Sequence, residues 1–190
     1  MTNQNLNEKF EVLKDEYIEH NGRILYRIRA LRDVGDRIKK GDLGGFVQSE
    51  LNLSRYDDCW VFPGAKIYDK AFLAHSATLS GLAEVFENAK VGNRARIRES
   101  ARVYGNARIS GFVSGDAQVY GEADVAVFGF AQDESRVHGT ASLCHWGEGA
   151  YGNDDIASRE EFLVIEKLRY SRWAEFQADQ QRRKKLRYGW

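Results

Sequence analysis

The stretch Ala89-Lys90-Val91-Gly92-Asn93-Arg94-Ala95-Arg96-Ile97-Arg98-Glu99-Ser100-Ala101-Arg102-Val103-Tyr104-Gly105-Asn106-Ala107-Arg108-Ile109 decides the fold. A small residue and, two places on, an aliphatic one recur every six residues. The series runs outward in both directions, from Cys59/Val61 to Ala141/Leu143. It comprises about fifteen units; all have six residues but one, Ala107 to Ser110, which has four. Alternate side chains of a strand share a face, so the small and aliphatic residues both point inward. The residue between them, mostly charged or aromatic, points out. Three residues remain to turn a corner, and Gly92-Asn93, Gly105-Asn106 and Gly115-Asp116 suit a positive φ there. A six-residue period builds no face on a 3.6-residue helix. The expected object is a coil of short strands whose turns stack and pair strand on strand.

Val91-Gly92-Asn93-Arg94-Ala95 and Val119-Tyr120-Gly121-Glu122-Ala123 resemble the hexapeptide motif of left-handed parallel β-helix proteins. That resemblance implies three units per triangular coil. Fifteen units then give about five coils, a prism on the order of 20–25 Å long. The fold expected is an all-β solenoid with an N-terminal hairpin cap and a C-terminal amphipathic helix. Its segments are 1–58, hairpin and entry cap; 59–150, β-helix; and 151–190, helix and basic tail.

The flanks differ from the repeat. Residues 1–9 are polar and read as a loose end. Asn21-Gly22 lies between β-rich runs, the strongest short hairpin signal. Such a hairpin covers the unpaired first coil. Gly44-Gly45 reads as a structural turn, since no helix signal follows to make a phosphate loop. The entry segment from Gly41 to Val47, with Asn52-Leu53-Ser54 and Cys59-Trp60-Val61, is similar to that of short hexapeptide-repeat proteins of enterobacterial and prophage genomes. Beyond the repeat, Ser158 and Glu161 form a capping box. Phe162, Ile165, Trp173 and Phe176 then recur at helical spacing, predicting an amphipathic helix of about 20–28 residues. Arg182-Arg183-Lys184-Lys185 end it in a basic cluster. This helix is the expected contact for a second subunit or partner, or it lies back along the prism with its basic tail on the acidic end.

Folding the units onto three sides places Tyr68, Phe86, Tyr104, Tyr120 and His138 in one column, an aromatic ladder. A second column, Ala74, Gly92, Ser110, Ala126 and Cys144, is nearly smooth. This register holds if the four-residue unit is a clipped corner and not a lost strand. Lys90, Arg94, Arg96, Arg98, Arg102 and Arg108 form a basic belt around the middle coils. Eight acids against Arg136 alone follow between Asp116 and Asp155. Ladder and belt are candidate binding surfaces for a protein or, through the belt and Tyr104, for nucleic acid or a nucleotide.

Composition sets bounds. Lys plus Arg and Asp plus Glu are each 28 in 190 residues, so net charge selects no partner. No apolar run approaches a membrane span and no signal-peptide core opens the chain. Cys59 and Cys144 stand about five coils apart, too far for a disulfide, so a reduced, cytoplasmic protein is expected.

The hexapeptide resemblance implies two chemistries. Acyltransferases of that class use a His base at a subunit interface, for which His75 and His138 are candidates; no long inserted loop shapes a donor site here. The gamma-type carbonic anhydrase holds a metal with three His, and no triad of that spacing exists among His75, His138 and His145. Neither a metal nor a cofactor is expected. Cys144-His145 as a nucleophile pair is opposed by strand alternation, and a buried or inert Cys144 is expected. The function expected is a non-catalytic binding or scaffolding module, homo-oligomeric as a trimer or dimer, one form being a phage-encoded inhibitor of a host defence protein. Acyl transfer and nucleic-acid binding are the alternatives.

Overall fold

The structure is a computed structural model and describes residues 7–144 and 147–188, the side chains of 184–188 excepted. It is a three-sided parallel β-solenoid of about six turns. Two-residue strands run from Trp60–Val61 to Asp155–Ile156 and stack on three walls. The first wall holds Lys66–Ile67, Glu84–Val85, Arg102–Val103, Gln118–Val119, Arg136–Val137 and Asp155–Ile156. The second runs from Trp60–Val61 through Arg96–Ile97, Phe112–Val113 and Phe130–Ala131 to Gly149–Ala150. The third runs from Phe72–Leu73 through Lys90–Val91, Arg108–Ile109 and Asp124–Val125 to Ser142–Leu143.

The small and aliphatic residues fill the interior. From Ala65/Ile67 to Ala141/Leu143 each such pair is at most 2 % exposed wherever both members are aliphatic. Alanine, glycine or serine at every small position lets the three walls approach. The four-residue unit is a clipped corner, since Arg108–Ile109 and Phe112–Val113 both remain strands on their own walls. There Gly111 is obligatory, because a Cβ would stand 2.1 Å from the Gly129 carbonyl and 2.4 Å from that of Ala126.

Five coils become about six because the repeat extends at both ends. Leu143 is followed by a longer connection before Ala150 and Ile156 resume the inward positions, which breaks the six-residue count. At the front, β3 (Leu43–Val47) already pairs in parallel with Lys66–Ile67. Gly44 and Gly45 therefore lie in a strand and not in a turn. A Cβ on Gly45 would meet the carbonyls of Ala65 and Phe62 at 2.4 and 2.5 Å. The pair lets β3 press onto the first coil.

Ahead of β3, β1 (Phe10–His20) and β2 (Arg23–Ala30) form the antiparallel hairpin about Asn21-Gly22, both at positive φ. β2 pairs with β3, so the hairpin continues the first wall past its open edge. The loose end ends sooner than its polarity suggests. Lys9 is fully buried, and its Nζ donates to the Ser54 carbonyl at 2.8 Å and to Cys59 Sγ at 3.2 Å. Burial lowers the Lys9 pKa and raises that of Cys59. Residues 1–6 lie outside the described residues.

The other end is closed by α1 (Arg159–Tyr188), 30 residues long. Ser158 Oγ accepts from the Glu161 N–H, while the Glu161 carboxylate accepts from the Ala157 N–H. Phe162 is 1 % exposed and plugs the core. Two arginines satisfy carbonyls of the last coil: Arg159 donates to Ser142 O at 2.9 Å and Arg169 to Gly149 O at 3.0 Å. Edge carbonyls otherwise left to water are thereby covered.

Candidate functional site

The aromatic ladder forms as a continuous stack. Tyr68, Phe86, Tyr104, Tyr120 and His138 sit face to face, centroids 4.9–5.1 Å apart and planes within 7°. The spacing is that of the paired strands, so the column is a consequence of register. Each inner ring spends both faces on its neighbours, which leaves Tyr104 only its edge and hydroxyl for any ligand. The hairpin covers the first rung: Tyr68 is 1 % exposed, with His20 edge-on and Arg23 over the ring. Under this rung Glu84 is the hub. It meets His20 at 2.9 Å, Lys66 at 3.3 Å and the Tyr68 hydroxyl at 3.3 Å. Burial works to raise the Glu84 pKa, but His20 and Lys66 outweigh it and hold the carboxyl below its ordinary value. The outer rungs are half-buried. At the far end His138 Nε2 stands 2.6 Å from Asp155 Oδ1.

His75 has a different task. It occupies a corner at positive φ, and its Nδ1 accepts the Asn93 N–H of the next coil at 3.2 Å. Asp69, Glu87, Glu99 and Asp133, also at positive φ, do the same for the N–H groups of Glu87, Gly105, Gly115 and Gly152. Five corner side chains thus staple successive coils, and His75 is one of them. His75 and His138 lie on different corners and do not converge. Cys144 is exposed, in keeping with its outward place in the smooth column and not with the buried alternative; His145 is outside the described residues. Both cysteines are free. Among the described residues no three His, Cys, Asp or Glu side chains gather as a metal site.

The basic belt encircles the prism. Lys90 and Arg108 lie on the third wall, Arg96 on the second and Arg102 on the first, with Arg94 and Arg98 on two different corners. Arg96 leans over Phe112, and Arg102 over Phe86 and Tyr104. One straight ligand meets only part of such a ring. A portion of it enters a groove that residue counting missed, about 790 Å³ in volume, between the ladder corner and the third wall. Lys70, Lys90 and Arg108 line one part of it, Glu122 and Asp124 the next. Burial raises the Asp124 pKa, and Arg108 partly offsets the shift. The signal for this groove was in the columns beside the ladder, Lys70 to Thr140 and Lys90 to Ser142, which pass from basic to acidic along the axis.

The C-terminal helix forms as expected, but of its two expected placements the one back along the prism is not adopted. It is not a one-sided amphipathic helix lying along the prism. Only its first three turns touch the end coil, through Phe162, half-buried Ile165 and the pairs Arg159–Glu148 and Arg169–Asp154. From Tyr170 to Arg183 every residue is exposed except the half-buried Gln180. Trp173 is 58 % and Phe176 52 % exposed, stacked on each other at 5.8 Å. Leu163, Val164, Leu168 and Tyr170 are also exposed. Arg182 and Arg183 stand on this overhang, far from the acidic end of their own prism; the side chains of Lys184 and Lys185 lie outside the description. No described helix is long and apolar enough to cross a membrane.

Comparison of the chain with family models and with curated proteins gives no match.

Proposed function

We propose that the chain is a non-catalytic binding module: a rigid prism that presents side chains at fixed 4.8 Å intervals and a helix that reaches past it to a partner. The observation that carries this reading is the apolar surface of the C-terminal helix, where Leu163, Val164, Leu168, Tyr170, Trp173 and Phe176 stand 52–77 % exposed, the last three on the overhang. Exposed apolar surface of this extent marks an interaction site in a folded protein. The prism itself supports the reading by what its polar side chains do. His75 and the corner carboxylates are used to join coils. The cations of the belt, Arg94 and Arg98 at two corners among them, offer positive charge around the prism to an acidic protein surface. The likeness of the entry segment to prophage-borne relatives gives the reading a concrete form, a phage-encoded inhibitor that binds a host defence protein.

The test is capture of a host protein by the purified chain, repeated with Arg94→Glu/Arg98→Glu. The reading expects one partner in stoichiometric amount with wild type and its loss with the belt variant. Retention of nucleic acid, with affinity falling steeply in salt, would replace it with the nucleic-acid reading.

Acyl transfer keeps one specific observation, the His138–Asp155 contact, since a carboxylate on one ring nitrogen orients a His base. Thermal stabilisation by coenzyme A compounds, together with acyl transfer lost in His138→Ala, would establish it over the binding module.

A further inference from the structure

The overhang cannot be covered by its own prism. No glycine or proline interrupts Arg159 to Tyr188, and the helix is continuous through it. The 19 residues after Arg169 carry it roughly 28 Å onward. A surface elsewhere on the same chain has the matching chemistry. On the second wall Phe112 is 45 % exposed beside Phe130, and Val127 at the adjoining corner is also 45 % exposed. Four residues beyond Phe112 the corner carries Asp116, stacked on Glu134 of the next coil. Neither of these two carboxylates has a cation within ion-pair distance among the described residues. Like charges one strand spacing apart repel, and a cation between them relieves it.

The order of the chemistry agrees. On the wall, exposed Phe112 is followed by the turn that carries Asp116. On the arm, Trp173 and Phe176 are followed by Arg182 and Arg183, about 10–14 Å further along the helix. Arg183 is held by Asp179 of its own helix at 2.7 Å and Arg182 lies beside it.

We propose that the arm is covered by a second copy of this chain: Trp173 and Phe176 of each copy lie on the Phe112 side of the other's second wall, and Arg182 and Arg183 meet its Asp116 and Glu134. One two-fold operation covers both arms and neutralises both acidic corners, whereas a foreign partner would leave the wall patch open. Two arms and two wall patches bury on the order of 1,500 Å², the size of a stable specific interface. The distal part of the helix then serves assembly, while exposed Leu163, Val164 and Leu168 nearer the prism and the basic belt stay open for the partner proposed above; the two readings fail separately, since assembly is read on the purified chain alone.

Light scattering of the purified full chain tests it. Wild type is expected as a dimer of the 21.7 kDa chain. Trp173→Glu/Phe176→Glu is expected as a monomer with unchanged circular dichroism and melting temperature, because these side chains touch nothing in their own prism. Arg182→Glu/Arg183→Glu and Asp116→Arg/Glu134→Arg should each weaken dimerisation about tenfold or more. All four charge reversals in one chain should restore it. A monomeric or trimeric wild type overturns the proposal, as does a dimer that survives Trp173→Glu/Phe176→Glu. A dimer that needs Trp173 but is not restored by the combined reversal overturns the receiving surface assigned here.

Discussion

The prism and the helix that leaves it are built on opposite economies of surface. In the prism the inward side chains are buried, and outward-position N–H groups of successive coils donate to carbonyls of the next. In the helix burial ends with the third turn, and the largest apolar side chains lie beyond it. The first region closes on itself; the second leaves large apolar side chains exposed. Substitutions of similar size should therefore have unequal effects in the two regions.

The largest effect is expected at the clipped corner. Gly111→Ala should cost about 3 kcal/mol or more, because its Cβ meets two backbone carbonyls that cannot move without shifting a coil. Urea unfolding measures this, and a loss under 1 kcal/mol would show that the corner yields. Next comes a matched pair on one helix. Phe162→Ala should cost about 3 kcal/mol through the cavity it leaves. Phe176→Ala, an equal truncation, should change the stability of the monomer by less than about 0.5 kcal/mol. Equal losses at the two positions would erase the contrast between the covered and uncovered parts of the helix.

A smaller effect sharpens the picture inside the prism. Glu84→Gln should cost about 1 kcal/mol at neutral pH. The Glu84 carboxyl is held below its ordinary pKa in the folded state, so the unfolded chain binds the proton more readily. Its contribution is present above the unfolded carboxylate pKa and is lost as pH falls through the folded value. The difference between Glu84→Gln and wild type should accordingly shrink on acidification, as chemical denaturation at a series of pH values would show. A difference constant with pH would mean that the hub acts by packing alone. The smallest expected effect is at His75. His75→Asn, which keeps a corner acceptor, should leave the melting temperature within about 2 °C of wild type, whereas a larger fall would show that the ring itself is needed.

The same contrast explains what the amino-acid sequence disclosed. Period six survives any reading because each unit repeats the same local demand, and from it followed the walls, the ladder column and the clipped corner. It faded where units are irregular. The connection after Cys144 hid the last two strands, and Gly44-Gly45 looked like a turn because glycine in a strand is explained only by the carbonyls pressed against it. Lys9 read as a solvated end, since a buried ammonium is recognisable only once the Ser54 carbonyl and Cys59 are placed around it. The helix itself was legible from its cap and spacing. The exposure of its far part was not, because apolar spacing is the same whether a face is covered by its own prism or left open. Aromatic stacking along Tyr68 to His138 followed from register, but the loss of free ring faces needed the 4.9 Å separations.

The most direct test of a self-sufficient prism with an arm made for a partner is the thermal unfolding of a chain ending at Tyr170, compared with the full chain under conditions where both are monomeric. Phe162, Ile165, Arg159 and Arg169 all remain in the shorter chain. The account predicts the same β-rich spectrum and a melting temperature within about 2 °C of the full chain, with assembly lost. A shorter chain that unfolds, or melts far below the full one, would make the overhang part of the fold and contradict the account.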